Sequence, residues 1–297
     1  MTQLGEAAPS ALLQKLQTST GKYAMLALDQ RESMRGMFDR LDDGEFVGDE
    51  SLRSFKRLAL ELLTPYASAV LVDRPFGLGD SRPKEIAQSC GLIVAVDVLH
   101  QRPGKEITDV SLDELVTVDY LHRVGADAVK LLVLWHARSG KDERRELVER
   151  VIELASDASV ASLIEGIVRP EPGQPWASRH ERHEAILACA EELSGFSPDI
   201  YKAEVPGYSP GDVSLVAEQS RRLSEIVGMD WVVLSSGVAK EDFAAAVTEA
   251  VAGGASGFLA GRAIWADAVA EPDQAAAMRA RSIDRLTALT DIVDRGN

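Results

Sequence analysis

Cysteine is nearly absent from the chain: Cys90 and Cys189 are the only two in 297 residues. That excludes a disulfide scaffold, and without a CxxC pair there is no cysteine-based metal site. Both thiols read as small buried apolar groups in a reducing, cytoplasmic setting. No run of 18 uninterrupted apolar residues occurs, so no transmembrane helix is expected. The opening MTQLGEAAPSALL lacks a basic start and a long apolar core, so no secretory leader is expected. Histidine is scarce, five in all, and RHERHE (residues 179–184) spaces His180 and His183 three apart, where a zincin helix needs four. No divalent-metal site is expected, and neither a GxSxG elbow nor a Walker A motif occurs. Basic residues fall short of acidic ones, 32 against 47, leaving a formal charge of −15. That argues against nucleic acid and anionic membranes as partners.

What the sequence does have is a repeated unit. Apolar residues make up 45% and charged residues 27%, the balance of an ordinary globular protein. Eight short apolar runs recur: YAMLALD (23–29), SAVLVD (68–73), LIVAVD (92–97), AVKLLVLW (128–135), ASLIEGIV (161–168), IYKAEVP (200–206), WVVLSSG (231–237) and SGFLAGRA (256–263). They are nearly continuous rather than alternating, as strands buried on both faces should be. Amphipathic helical patterns separate them, over residues 112–123, 142–158, 181–193, 213–227 and 240–252. Eight strand–helix units in one chain predict a (β/α)8 TIM barrel as a single domain over residues 1–297, with a doubly wound open sheet as competitor. An extra helix is expected over residues 10–20. Residues 39–50 read as a polar turn, 169–178 as a proline-rich rim loop, and 266–293 as helices that could serve a homo-oligomer.

In such barrels, function sits at the C-terminal ends of strands. Polar residues inside apolar strands are therefore the informative ones, since each costs free energy to bury. Lys202 and Lys130 lie within the sixth and fourth runs, on alternate strands that share interior layers. As close neighbours, each would disfavour the other's charge, and a free amine at neutral pH can attack a carbonyl to form a Schiff base; the other reading is structural pairing with carboxylates. Glu165 and Asp29 are placed to move protons for that chemistry. Glu204 shares a face with Lys202 and is an alternative salt-bridge partner. Asp73 and Asp97 read as helix caps. Ser236, Gly237, Gly261 and Arg262 follow the last two strands, where barrels bind phosphate through backbone N–H groups. Arg31, Arg74 and Arg169 are rim candidates for a second anion. The net charge conceals this cationic patch, because the acids concentrate in outer segments such as 39–50 and 142–153.

Several segments together resemble the class I aldolases that group tagatose bisphosphate aldolase with sulfofructosephosphate aldolase: YAMLALDQRESM (23–34), TPYASAVLVD (64–73), KLLVLW (130–135), IEGIVRP (164–170), YKAEVP (201–206), WVVLSSGV (231–238) and GASGFLAGRAIWA (254–266). The resemblance covers nearly the whole chain. It implies Lys202 as the Schiff-base lysine, Glu165 as acid and base, and Lys130 and Asp29 beside them. It implies no metal or organic cofactor. Glu32, where the tagatose branch tends to have glycine, brings the chain closer to the sulfofructosephosphate branch, as do YKAEVP and GASGFLAGRAIWA. Gly166, Arg74 and the 169–178 loop depart from the family pattern at the rim.

The expected substrate is therefore 6-deoxy-6-sulfofructose 1-phosphate, cleaved to dihydroxyacetone phosphate and sulfolactaldehyde. Its C1 phosphate should lie on Ser236, Gly237, Gly261 and Arg262, with Gln30, Arg31 and Arg169 completing the substrate-binding set. The alternatives are a tagatose or fructose bisphosphate aldolase and, in another class, a sugar-phosphate-sensing regulatory protein.

Overall fold

The computed structural model describes residues 11–42 and 44–296. Residues 1–10, which hold most of the opening MTQLGEAAPSALL and Ser10 of the expected first helix, lie outside the described residues, as does Asp43 of the expected polar turn.

The strands are β1 (Tyr23–Leu28), β2 (Ala69–Asp73), β3 (Gly91–Ala95), β4 (Asp97–Gln101), β5 (Ile107–Leu112), β6 (Ala128–Trp135), β7 (Ala161–Val168), β8 (Ile200–Ala203), β9 (Trp231–Val233) and β10 (Gly257–Ala260). Eight of them close into a parallel barrel in the order β1-β10-β9-β8-β7-β6-β3-β2. These are the eight apolar runs of the sequence, and nearly every residue in them is buried. The barrel floor is a dry plug of Leu16, Tyr23, Met25, Leu71, Ile93, Leu163, Val232 and Leu259. Each aliphatic or aromatic side chain removed from water there contributes roughly 1.5–3 kcal/mol. Tyr23 closes the floor with a hydrogen bond to Asp230 (2.7 Å).

Outside the ring, the helices include Lys141–Ala158, Arg179–Ser194, Val216–Val227 and Phe243–Ala252, close to the expected spans. Four expectations need correction. The first helix is short, Ala11–Gln14, and the chain then turns so that Leu16 plugs the floor. The polar stretch 39–50 ends in a helix, Asp49–Leu63, whose acidic first turn suits the positive end of its dipole. Residues 266–293 are not helical throughout: a short turn, Ala266–Ala268, is followed after a gap by Gln274–Ala277, a π-turn Met278–Ser282 and Ile283–Arg295, which run on as one continuous helix. The helix expected over 112–123 is only Val118–Val124, started by Thr117 accepting from the Tyr120 amide (3.2 Å) and stopped by left-handed Gly125. The residues before it form an antiparallel hairpin, β4–β5, that stands on the end of β3. No helix among the described residues is long and apolar enough to cross a membrane.

Candidate active site

Parallel pairing sets the height of each side chain in the barrel. Glu165 on β7 is level with Lys202 on β8 and with Leu132 on β6. Lys130 starts two residues lower, level with Leu163 and with the small Ala95, and its long stem reaches upward. Its ammonium nitrogen meets Asp29 Oδ2 at 2.7 Å, Glu165 Oε2 at 2.8 Å and Asp97 Oδ2 at 3.1 Å. The Lys202 ammonium lies 3.0 Å from the same Glu165 oxygen. Glu165 is thus shared by two lysines.

Electrostatics separates these groups. Burial favours the neutral form of Lys130, but Asp29, Asp97 and Glu165 outweigh it, and its pKa is held well above the ordinary lysine range. The sequence expectation that the two lysines suppress each other's charge is therefore reversed for Lys130: it is a fixed cation. Burial likewise works against the Asp29 carboxylate, but Lys130, Lys202 and Arg31 overcome it and hold its pKa below the ordinary value.

Behind Lys130 the charges alternate. Asp97 accepts from the Leu132 amide (3.0 Å) and from Arg31 (3.1 Å). Arg31 Nε lies 3.8 Å from Asp73, which pairs with the fully buried Lys56 and accepts from the Phe76 amide (3.0 Å). Asp73 does cap the segment after β2, as expected. Asp97 is instead a hub of the network, and Lys56 was missed altogether. A helical lysine next to Arg57 reads as part of a solvated face, and only its contact with Asp73 at the end of β2 makes it a buried one. Arg31 is also corrected: its guanidinium turns inward onto Asp97 and Asp73, away from the cavity, and does not present itself to an external anion.

Above the network opens a cavity of about 480 Å³, lined by Asp29, Gln30, Glu165, Arg169, Lys202, Ser236, Gly261 and Arg262 together with hairpin residues. Lys130 sits beneath it. Arg262 donates to Ser236 Oγ and has no carboxylate partner among the described residues, and burial pulls its pKa below the ordinary value. Gly237 follows Ser236 with φ +79°, a left-handed turn that favours glycine. Gly261 permits a close approach: a Cβ there would lie 2.5 Å from the Ala27 carbonyl and 3.0 Å from Gln30 Nε2. Trp265 fixes the same corner through Nε1 to Ala27 O (2.9 Å).

Other candidates lie elsewhere. Strand β8 ends at Ala203, and Glu204 accepts from the Val168 amide (2.8 Å) and pairs with Arg182, not with Lys202. Burial pushes the Glu204 carboxyl up. Arg74 is tied to Asp113 at 2.7 Å. His183 is buried against the Tyr208 carbonyl (3.2 Å), and no cluster of metal-holding side chains occurs among the described residues. The proline-rich loop is anchored to its neighbour: Glu171 accepts from the Arg138 amide (2.7 Å) and from Ser139 (3.0 Å).

A family model described as "DeoC/LacD family aldolase" matches residues 23–267. A tagatose 1,6-diphosphate aldolase 2 of Streptococcus pyogenes serotype M3 is 27% identical over 276 residues, 84% of this chain and 82% of the relative. A tagatose 1,6-diphosphate aldolase of Listeria monocytogenes serotype 4a is 27% identical over 319 residues, 96% of this chain and 91% of the relative. Among solved structures, an archaeal fructose 1,6-bisphosphate aldolase superposes with a TM-score of 0.65 at 16% identity, covering 95% of this chain and 99% of the other. The fructose-bisphosphate aldolase of Plasmodium falciparum gives a TM-score of 0.70 at 15% identity, covering 96% and 93%. These two likenesses speak to the barrel alone. The family match runs from the first barrel strand past the last, through every strand end that feeds the cavity, and on that ground the chain belongs to the DeoC/LacD family of aldolases and is a lyase.

Proposed function

We propose that the protein is a class I aldolase that cleaves a ketohexose 1,6-bisphosphate through a Schiff base on Lys202, without a metal. The observation that carries this reading is the Glu165 carboxylate held between Lys202 at 3.0 Å and Lys130 at 2.8 Å at the foot of a polar cavity. Glu165 is in reach of the Lys202 proton, leaving an amine to attack the C2 ketone. Proton return from Glu165 expels water from the carbinolamine and gives an iminium. The iminium draws the electrons of the C3–C4 bond as Glu165 takes the C4 hydroxyl proton, and the aldehyde leaves. The remaining enamine of dihydroxyacetone phosphate is protonated at C3 and hydrolysed. Asp29, kept ionised, orients substrate hydroxyls, and Lys130 holds Asp29 and Glu165 in place. Ser236, Gly237, Gly261 and Arg262 receive the C1 phosphate, and the lack of a carboxylate partner for half-buried Arg262 among the described residues supports this. Arg169, with Gln30 nearby, is assigned to the rest of the sugar.

For the C6 substituent, relatives named tagatose 1,6-diphosphate aldolases favour a phosphate over the sulfonate expected from sequence. Glu32, which pointed to the sulfonate, is engaged with Arg35 at 3.0 Å and does not line the cavity. Borohydride reduction in the presence of dihydroxyacetone phosphate, with peptide mass mapping, is the test: an adduct on Lys202 is expected, and its absence sinks the mechanism. Cleavage rates on tagatose 1,6-bisphosphate, fructose 1,6-bisphosphate and 6-deoxy-6-sulfofructose 1-phosphate then decide the C6 group. A clear preference for the sulfonate overturns the bisphosphate assignment.

A further inference from the structure

The cavity has strand ends for its floor and the β4–β5 hairpin for part of its wall, with Leu99, Gln101 and Ile107 facing inward. The hairpin is braced across its strands by His100 to Ser111 (2.9 Å) and by Thr108 to the His100 carbonyl (3.0 Å). Its tip is docked on the segment after β1. The Gly104 amide donates to the Glu32 carbonyl (3.2 Å), and a Cβ on Gly36 would lie 2.6 Å from Gly104 Cα. Gly36 has an ordinary helical φ of −69°, so glycine is needed there for the contact and not for the backbone. Gly104 has φ +67°, which turns the chain so that the next residue, Lys105, lines the cavity.

Four cations line this cavity: Lys202, Arg262, Arg169 and Lys105. Lys202 is taken by the ketone and Arg262 by the C1 phosphate. Lys105 lies exposed at the mouth of the cavity and has no ion-pair partner among the described residues, in a chain whose formal charge is −15. Arg169 has only the Val168 carbonyl (3.1 Å), and its buried Nε has no partner. Glu106 lines the same wall, so the outer part of the cavity carries two uncommitted cations and one carboxylate. Unpaired cations at a cavity lip suit a second anionic group on the ligand.

We propose that Lys105 is a specificity-determining residue that receives, with Arg169, the anionic group at C6 of the sugar, and that the Gly36–Gly104 contact holds it in position. This rests on the aldolase reading above and adds to it the element that selects the far end of the substrate. The measurement is the ratio of kcat/KM for a ketohexose 1,6-bisphosphate to that for the same ketohexose 1-phosphate, whose C6 is uncharged. Loss of one charge-assisted contact lowers that ratio about ten-fold in Lys105→Met, and Lys105→Arg recovers it. Gly36→Ala, which displaces the tip without removing a charge, lowers the ratio in the same direction. A ratio unchanged in Lys105→Met overturns the proposal, as does a loss that falls equally on both substrates. Borohydride trapping with dihydroxyacetone phosphate, which has no far end, separates the two levels. If wild type traps on Lys202 and the ratio does not move, the inference alone fails; if wild type does not trap, the aldolase mechanism fails and the inference with it.

Discussion

Lys202 Nζ lies 3.0 Å from Oε2 of Glu165, its level partner on the neighbouring strand. On the proposed mechanism Glu165 takes its proton from this neighbouring ammonium. Glu165→Gln keeps the shape and removes the basic oxygen. General acid–base catalysis typically contributes 10²–10⁴-fold, so kcat should fall by about that factor, with slower borohydride trapping but the adduct still on Lys202. Steady-state rates and mass mapping on the same variant check both halves.

Lys130 is the keystone of the buried charges, touching Asp29, Asp97 and Glu165. Lys130→Met strands these carboxylates beneath the cavity without their shared countercharge. Removing one partner of a buried pair costs about 3–5 kcal/mol, so the variant should melt well below wild type. Adding Asp97→Asn should recover part of the loss, which denaturant titration of the single and double variants measures.

Acid should erode stability through carboxylates whose pKa is held down in the fold. Asp267 is pulled to about 2 by its hydrogen bonds to Arg285 and Lys240, against the opposing effect of burial. Its stabilisation is full above the unfolded value of about 3.9 and is lost as pH falls through about 2. Asp29 acts in the same direction. Asp267→Asn should cost roughly 1–2 kcal/mol at neutral pH, discounted for partial exposure. The difference from wild type should shrink toward pH 2 in a series of melts.

Gly261→Ala introduces a Cβ 2.5 Å from the Ala27 carbonyl, beside Gln30 and Trp265. The corner must open to accept it, shifting Arg262 off Ser236. KM for the phosphorylated substrate should rise by about ten-fold or more, on the scale of one weakened charged contact. A KM within two-fold of wild type would show that the phosphate does not bind at this corner.

The barrel was legible because strands buried on both faces write themselves as unbroken apolar runs, and all eight runs became barrel strands. Lys202, Lys130, Glu165 and Asp29 were legible for the converse reason: charged groups inside such runs have no solvent to satisfy them. The hairpin was not. Its strands are half exposed, and residues such as His100, Gln101, Thr108 and Asp109 look like loop. Lys105 went unseen with it. Asp97 was misjudged and Lys56 passed over because a strand-ending aspartate and a helical lysine have common surface roles, and only tertiary contact distinguishes them. Glu204 was misassigned because alternation was extended past Ala203, where the strand ends.

The buried network holds four cations, Lys56, Arg31, Lys130 and Lys202, against four carboxylates, Asp29, Asp73, Asp97 and Glu165. An iminium on Lys202 places one positive charge where the ammonium stood. On the proposed mechanism the covalent intermediate therefore inherits a counterion arrangement already present in the resting protein, and no countercharge has to be brought in as the bond to carbon forms.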